Sequence, residues 1–180
     1  MAQSTPSLNG SDAIYYAHST TTTTAPAEKT WQTLINTSTW PSWNTFCPRV
    51  TIRHQPGQHD SAILQLGTKM TFHVHMDANS PVETDVYLVV TQFEPPGGGK
   101  TGRIAWAADY TALGTLPRFL LRAERVHEVV PVDEGRGSEV RNWEVQVGYA
   151  AYVVRWMYGR VIQGAFERWV EELREYVAST

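Results

Sequence analysis

Arg125 and His127 stand two residues apart, and so do Asn142 and Glu144. In a strand, residues two apart share a face, so each pair projects to one side of its own strand. These are the side-chain types of proton transfer. A carboxylate among apolar walls has its pKa raised, and a nearby guanidinium lowers it again. Glu144 beside Arg125 is therefore a candidate general acid/base, with His127 as a second and Arg125 as a clamp for an anion or carbonyl. The same residues also describe a structural ion pair, because a charge taken out of water needs a partner. Both readings stand at the level of sequence. A register shift of one residue would turn all four side chains to the opposite face.

Other chemical motifs are weaker. His73 and His75 form a His-x-His pair on one face of a strand. A third zinc ligand, His54 or Asp77, stands at no diagnostic spacing, so a solvated pair and no metal site are expected. Gly99-Lys100-Thr101 lacks the earlier glycine of a phosphate-binding loop. The segment after it reads as a strand, whereas a phosphate cradle needs a helix N-terminus. Cys47 is the single cysteine, so no intramolecular disulfide can form, and it is expected as a buried small hydrophobe.

Composition bounds the rest. With 180 residues, 42% of them hydrophobic, the chain can build one substantial core. A formal net charge of -3 supplies no global basic surface, so nucleic acid is not an expected partner. No apolar run approaches the roughly 20 residues of a membrane span. No basic stretch followed by an apolar run opens the chain, and a soluble cytoplasmic protein is expected. Residues 1–11, rich in Ser, Pro, Asn and Gly, are expected to form a disordered tail, with a single domain over 12–180.

The elements that must position these groups follow from periodicity. Residues 12–22 alternate, with Ile14, Tyr16 and His18 on one face, and predict a strand. Residues 25–36 change to helical spacing through Trp31, Leu34 and Ile35 after Pro26. A short helical turn is expected around Pro41. Strands are predicted over 48–54, 67–76, 82–94, 102–109, 120–132 and 138–147, with turn signals at 95–99 and 133–137. Residues 149–177 carry an apolar stripe at spacings of three and four and predict one long helix. Strands segregated from helices mean an α+β fold with an antiparallel sheet.

Four stretches carry a resemblance. They are Trp31-Gln32-Thr33-Leu34-Ile35 followed by Trp40-Pro41-Ser42-Trp43-Asn44-Thr45-Phe46; Phe93-Glu94-Pro95-Pro96 followed by Ile104-Ala105-Trp106; Arg125-Val126-His127-Glu128-Val129 with Trp143-Glu144 and Gly148; and the terminal helix. In this order the chain resembles the START/Bet v 1-like (SRPBCC) superfamily, in its polyketide cyclase/dehydrase-like branch. Residues 136–138 and the long segment 110–118 depart from that pattern. The resemblance implies a helix-grip fold, with a curved sheet of about six to seven strands wrapped around the C-terminal helix and a cavity between them for a small hydrophobic molecule.

The family pattern would turn Ile104 and Trp106 into that cavity. The inner rows then hold Arg125 and His127 on one strand and Asn142, Glu144 and Gln146 on the next. The expected ligand-binding residues are Trp43, Phe46, Met70, Phe72, Val74, Trp106, Leu116, Phe119, Tyr152 and Trp156. Segment 110–119 would be a lid or mouth, or a loop packed over the sheet edge, and Trp40, Trp43 and Phe46 the opposite rim. Trp156 reads either as a ligand platform or as core. The resemblance implies no cofactor, a small hydrophobic (polycyclic or aromatic, polyketide- or lipid-like) partner, no stable membrane insertion, and a monomer or homodimer. An enzyme on this plan would be a cofactor-independent cyclase or dehydratase, acting by proton transfer. The competing classes are a non-catalytic carrier and a regulatory protein that binds partners through an exposed patch of Trp40, Trp43 and Leu116.

Overall fold

A computed structural model describes residues 1–57, 61–76 and 82–180. Seven strands form one antiparallel sheet: β1 (Tyr15–Thr23), β2 (Arg49–His54), β3 (Lys69–Val74), β4 (Thr84–Glu94), β5 (Gly102–Ala108), β6 (Arg122–Val132) and β7 (Gly137–Val147). Helix α1 (Ala27–Ile35) and the 3-10 turn Thr37–Ser42 connect β1 to β2, and helix α2 (Tyr149–Ser179) closes the chain. The strand order is β1-β7-β6-β5-β4-β3-β2. Strands β2 to β7 thus run as a meander, and β1 returns to pair with β7. This is the helix-grip arrangement, α+β with the long helix on the concave face.

Alternation decides what faces α2. Met70, Phe72 and Val74 on β3, Val90 on β4, Ile104 and Trp106 on β5, Val129 on β6 and Val140 on β7 are all buried in one core with Trp40, Trp43, Trp169 and Leu173. A bulge between Val90 and Gln92 adds one residue to β4. It keeps Phe93 on the inner side after Val90, where its ring meets Trp31 of α1 at 5.3 Å. The 3-10 turn tucks Trp40 beneath α2, and its indole N–H donates to the Leu34 carbonyl at 3.2 Å. Residues 95–101 turn back between β4 and β5 without a helix after them, as a hairpin loop rather than a phosphate cradle.

The outer face departs from expectation at the N-terminus. Residues 1–11 lie against the sheet, with Leu8 and Gly10 buried. Their anchor is Glu124, an outer-face carboxylate that accepts from Thr5 Oγ1 at 2.7 Å and from Ser7 N and Oγ at 2.8 Å each. The Ser4 carbonyl accepts from the Trp143 indole at 3.2 Å. A polar segment is held here by hydrogen bonds to one buried carboxylate, which local composition cannot reveal.

A second anchor sits where β5 ends. Asp109, almost fully buried, accepts from Arg53 Nη2 at 2.9 Å and from Thr111 N and Oγ1 at 3.0 and 2.6 Å. Burial raises its pKa, but the Thr111 and Arg53 hydrogen bonds outweigh it and hold the carboxyl below its ordinary value. A depressed folded-state pKa contributes stability above the unfolded value and loses it as pH falls through the folded one. Asp109→Asn is therefore expected to cost about 1–3 kcal/mol at neutral pH. It is also expected to flatten the loss of stability below about pH 4. Urea unfolding at neutral and acid pH measures both.

Candidate functional site

The inner rows of β6 and β7 meet side by side. Arg125 lies opposite Glu144 and His127 opposite Asn142, while Ala123 faces Gln146. On the other side of β7, Ala17 lies opposite Glu144 and Ser19 opposite Asn142. The small side chains of Ala17 and Ser19 leave the middle of this polar row free for Arg125 and Glu144. α2 covers the row with Phe166 and Trp169, and β5 flanks it with Trp106.

The row has a closed half and an open half. Arg125 Nε donates to Glu144 Oε2 at 2.9 Å, and Gln146 Nε2 donates to the other oxygen of Glu144. The guanidinium lies over the Phe166 ring at 4.0 Å and 5.9 Å from that of Trp169. Glu144 is thus occupied on both oxygens by neighbours in the same row. His127 and Asn142 are not. Their exposures are 0% and 1%, yet both ring nitrogens of His127 and both amide atoms of Asn142 have no hydrogen-bond partner among the described residues. The Trp169 indole N–H and the Gln146 oxygen are also unpaired there. An unpaired buried polar group costs about 1–3 kcal/mol, so four such side chains between the inner face and α2, with the His127 and Trp169 rings 5.3 Å apart, are a feature that folding alone does not favour.

Electrostatics separates the two halves further. Burial, and then the positive charge of Arg125, push the His127 pKa well below its ordinary value, so the ring is neutral near pH 7. It then carries one N–H and one lone pair. Tyr15, whose hydroxyl donates to the Gly159 carbonyl at 2.8 Å, is pushed up to about 12 by burial and by the Glu144 charge, against the pull of Arg125. Tyr15 therefore stays a neutral donor.

The remaining predicted residues divide. Met70, Phe72, Val74 and Trp106 face inward and are buried. Trp43 and Phe46 are buried too, and so is Trp40, so these three are core rather than a rim. Their rings explain it: Trp40 meets Trp169 at 4.9 Å and Phe72 at 5.2 Å, and Trp43 meets Trp169 at 5.7 Å. The exposed partner-binding patch of Trp40, Trp43 and Leu116 does not form. Leu116, Phe119, Tyr152 and Trp156 lie at the surface, the first two on the loop between β5 and β6 and the last two on the first half of α2, which packs against β1 through Tyr15 and leaves its other sides uncovered. Segment 110–119 carries both exposed side chains and contacts with the sheet: Lys69 Nζ on β3 donates to Thr111 Oγ1 at 2.8 Å, and Gly114 approaches the Tyr87 ring of β4.

His73 is not solvated. Its ring is held between Thr51 Oγ1 at 2.8 Å and Asp85 Oδ1 at 2.7 Å on the outer face, and His75 lies 3.8 Å from Glu83. Asp77, the other ligand considered, lies outside the described residues. Among the described residues no group of three His, Cys, Asp or Glu side chains is placed to hold a metal. Cys47 is buried, and burial raises its thiol pKa, so it is not a thiolate nucleophile.

Sequence reasoning missed Tyr15, Phe166 and Trp169 as members of the site. Trp169 and Phe166 were legible only as the apolar stripe of α2. Tyr15 sits in a strand with aromatic residues on both faces, and alternation cannot say which face is inner.

No protein-family profile matches the chain. Over 97% of its length it is 42% identical to the "Oxopyrrolidines biosynthesis cluster protein O" of Penicillium oxalicum, covering 92% of that protein. Among solved structures, a hypothetical protein from Helicobacter pylori superposes with a TM-score of 0.73 at 17% identity, covering 98% of this chain and 99% of that one. The Zhui aromatase/cyclase from a Streptomyces species gives 0.65 at 12% identity, over 90% and 92% of the two chains. A START superfamily protein from Mycobacterium smegmatis gives 0.62 at 11% identity, over 92% and 98%. These similarities place the chain on the START/Bet v 1-like fold.

Proposed function

Because this chain belongs to the family of the oxopyrrolidines biosynthesis cluster protein O, on a START/Bet v 1-like fold, we propose that it serves small-molecule biosynthesis. It holds a largely apolar intermediate with a polar end against the inner face of the sheet. The observation that carries this reading is the set of unpaired buried groups on His127, Asn142, Gln146 and Trp169. A ligand carbonyl would accept from Asn142 Nδ2 or Trp169 Nε1, a ligand hydroxyl would donate to Asn142 Oδ1 or Gln146 Oε1, and the apolar remainder would lie against Trp106 and Phe166.

The same geometry supports proton-transfer chemistry. A neutral His127 takes a proton from a carbon beside the ligand carbonyl, while an N–H donor stabilises the charge that builds on the oxygen. The carbanion then adds to a second carbonyl carbon of the same ligand, and the alkoxide so formed takes the proton back from His127, which closes a ring; return of the proton to a hydroxyl departing from the neighbouring carbon gives dehydration instead. In this scheme Glu144 and Arg125 are positioning residues that frame His127, since Glu144 has both oxygens engaged.

His127→Leu tests the reading. Removing two unpaired nitrogens is expected to leave unfolding free energy unchanged or raised by about 1–2 kcal/mol. It is also expected to reduce the retained small molecule seen by native mass spectrometry and to weaken binding of an apolar fluorescent probe bearing a carbonyl. Binding that is unchanged in both His127→Leu and Asn142→Leu would leave the polar row without a role in recognition.

A further inference from the structure

The first half of α2 carries a run of large apolar side chains that nothing among the described residues covers. Tyr149, Tyr152 and Trp156 recur at spacings of three and four, and Trp156 is 85% exposed. The segment before β6 joins this surface at the helix start, where Ala150 N donates to the Leu120 carbonyl at 2.8 Å. Gly148 makes that approach possible: its φ is +102°, and a Cβ there would sit 2.6 Å from the Leu120 oxygen. Phe119, at 71% exposed, is the neighbour of Leu120 in this segment, and Leu113, at 94%, is exposed further along it. Uncovered clusters of this kind mark a surface for another body.

The charge around them is one-sided. Residues 110–121 contain Arg118 and no Asp or Glu, and residues 149–166 contain Arg155 and Arg160 and again none, the first acid after them being Glu167; Arg122 belongs to the outer face, where it donates to the Ser7 carbonyl at 3.1 Å. This holds in a chain whose formal net charge is -3. A second copy docked through a two-fold axis would bring arginines against arginines. A layer of acidic headgroups over an apolar interior supplies what both features need: anions for the guanidiniums, and an amphipathic depth that favours Trp and Tyr rings.

We propose that this face, the start of α2 with segment 110–121, adsorbs to the surface of an anionic phospholipid bilayer. It lies among the headgroups without crossing, and no helix of the described residues is long and apolar enough to cross a membrane. This does not depend on the acid/base chemistry of the interior.

The test is co-sedimentation of the full chain with vesicles of phosphatidylcholine alone and of phosphatidylcholine mixed with phosphatidylserine. Binding is expected only to the mixed vesicles, and added salt is expected to weaken it. Arg118→Gln with Arg160→Gln is expected to reduce partitioning about tenfold or more. Trp156→Ala with Phe119→Ala is expected to do likewise. All four side chains are on the surface, so the variants should keep the wild-type urea midpoint. Absent binding, equal binding to neutral vesicles, or variants that bind like wild type would overturn the proposal. So would a wild-type dimer that Trp156→Ala dissociates, which makes the face a self-association surface. Binding to poly-glutamate but not to vesicles would assign it to an acidic protein partner instead, with the same consequence.

Discussion

Truncating Glu144 to alanine is expected to lower the unfolding free energy by about 3–5 kcal/mol. The reason is what it leaves behind. Arg125 stays beneath α2, stacked on Phe166 at 4.0 Å and close to Trp169, with its carboxylate partner gone and little solvent to replace it. Gln146 loses its acceptor in the same step. The pair as a whole is a different matter, because two desolvated charges repay little more than the cost of burying them. Replacing both, as Arg125→Met with Glu144→Leu, is therefore expected to recover most of the loss. Chemical denaturation of Arg125→Met, Glu144→Leu and the double closes the cycle and yields the coupling energy. A small loss in Glu144→Ala would mean that water reaches Arg125 and that the closed half of the row is open. The functional readout is independent: if Glu144 only frames His127, the double variant keeps probe binding even where turnover falls.

How far the sequence foretold this site depends on how local each cause is. The inner row of Arg125, His127, Asn142 and Glu144 was legible because strand alternation needs only the residues themselves plus one anchor, and Trp106 supplied it. The long helix was legible from its stripe. The phase of β1 was not, since Ile14, Tyr16 and His18 look as good an apolar face as Tyr15 and Ala17. The docking of residues 1–11 was invisible because its cause, the Glu124 carboxylate, lies 117 residues away from Ser7. The same distance problem hid the state of His73, whose partners Thr51 and Asp85 come from two neighbouring strands. The expectation that Tyr152 and Trp156 line the interior failed for another reason. Helical periodicity says which residues share a stripe, but not where along the helix the sheet stops covering it.

Trp169→Ala is expected to cost about 3–5 kcal/mol, the range for emptying a fully packed aromatic position. Trp169 is fully buried, with Trp40, Trp43, Phe72, Trp106 and His127 ring centroids all between 4.9 and 6.4 Å away. None of these rings can close the gap without leaving another contact. Trp169→Phe keeps most of the volume and removes an unpaired N–H, so its expected cost is much smaller, under about 1.5 kcal/mol. The ligand reading adds a second consequence that stability alone does not carry. The space emptied by Trp169→Ala adjoins the His127 ring, so a small apolar probe is expected to bind this variant more tightly than wild type, even as its urea midpoint falls. The gain should vanish when His127→Leu is added if the probe bears a carbonyl, and persist if it does not. A destabilised Trp169→Ala with unchanged probe affinity would move the ligand away from His127, past Arg125 to the end of the row where Gln146 lies opposite Ala123.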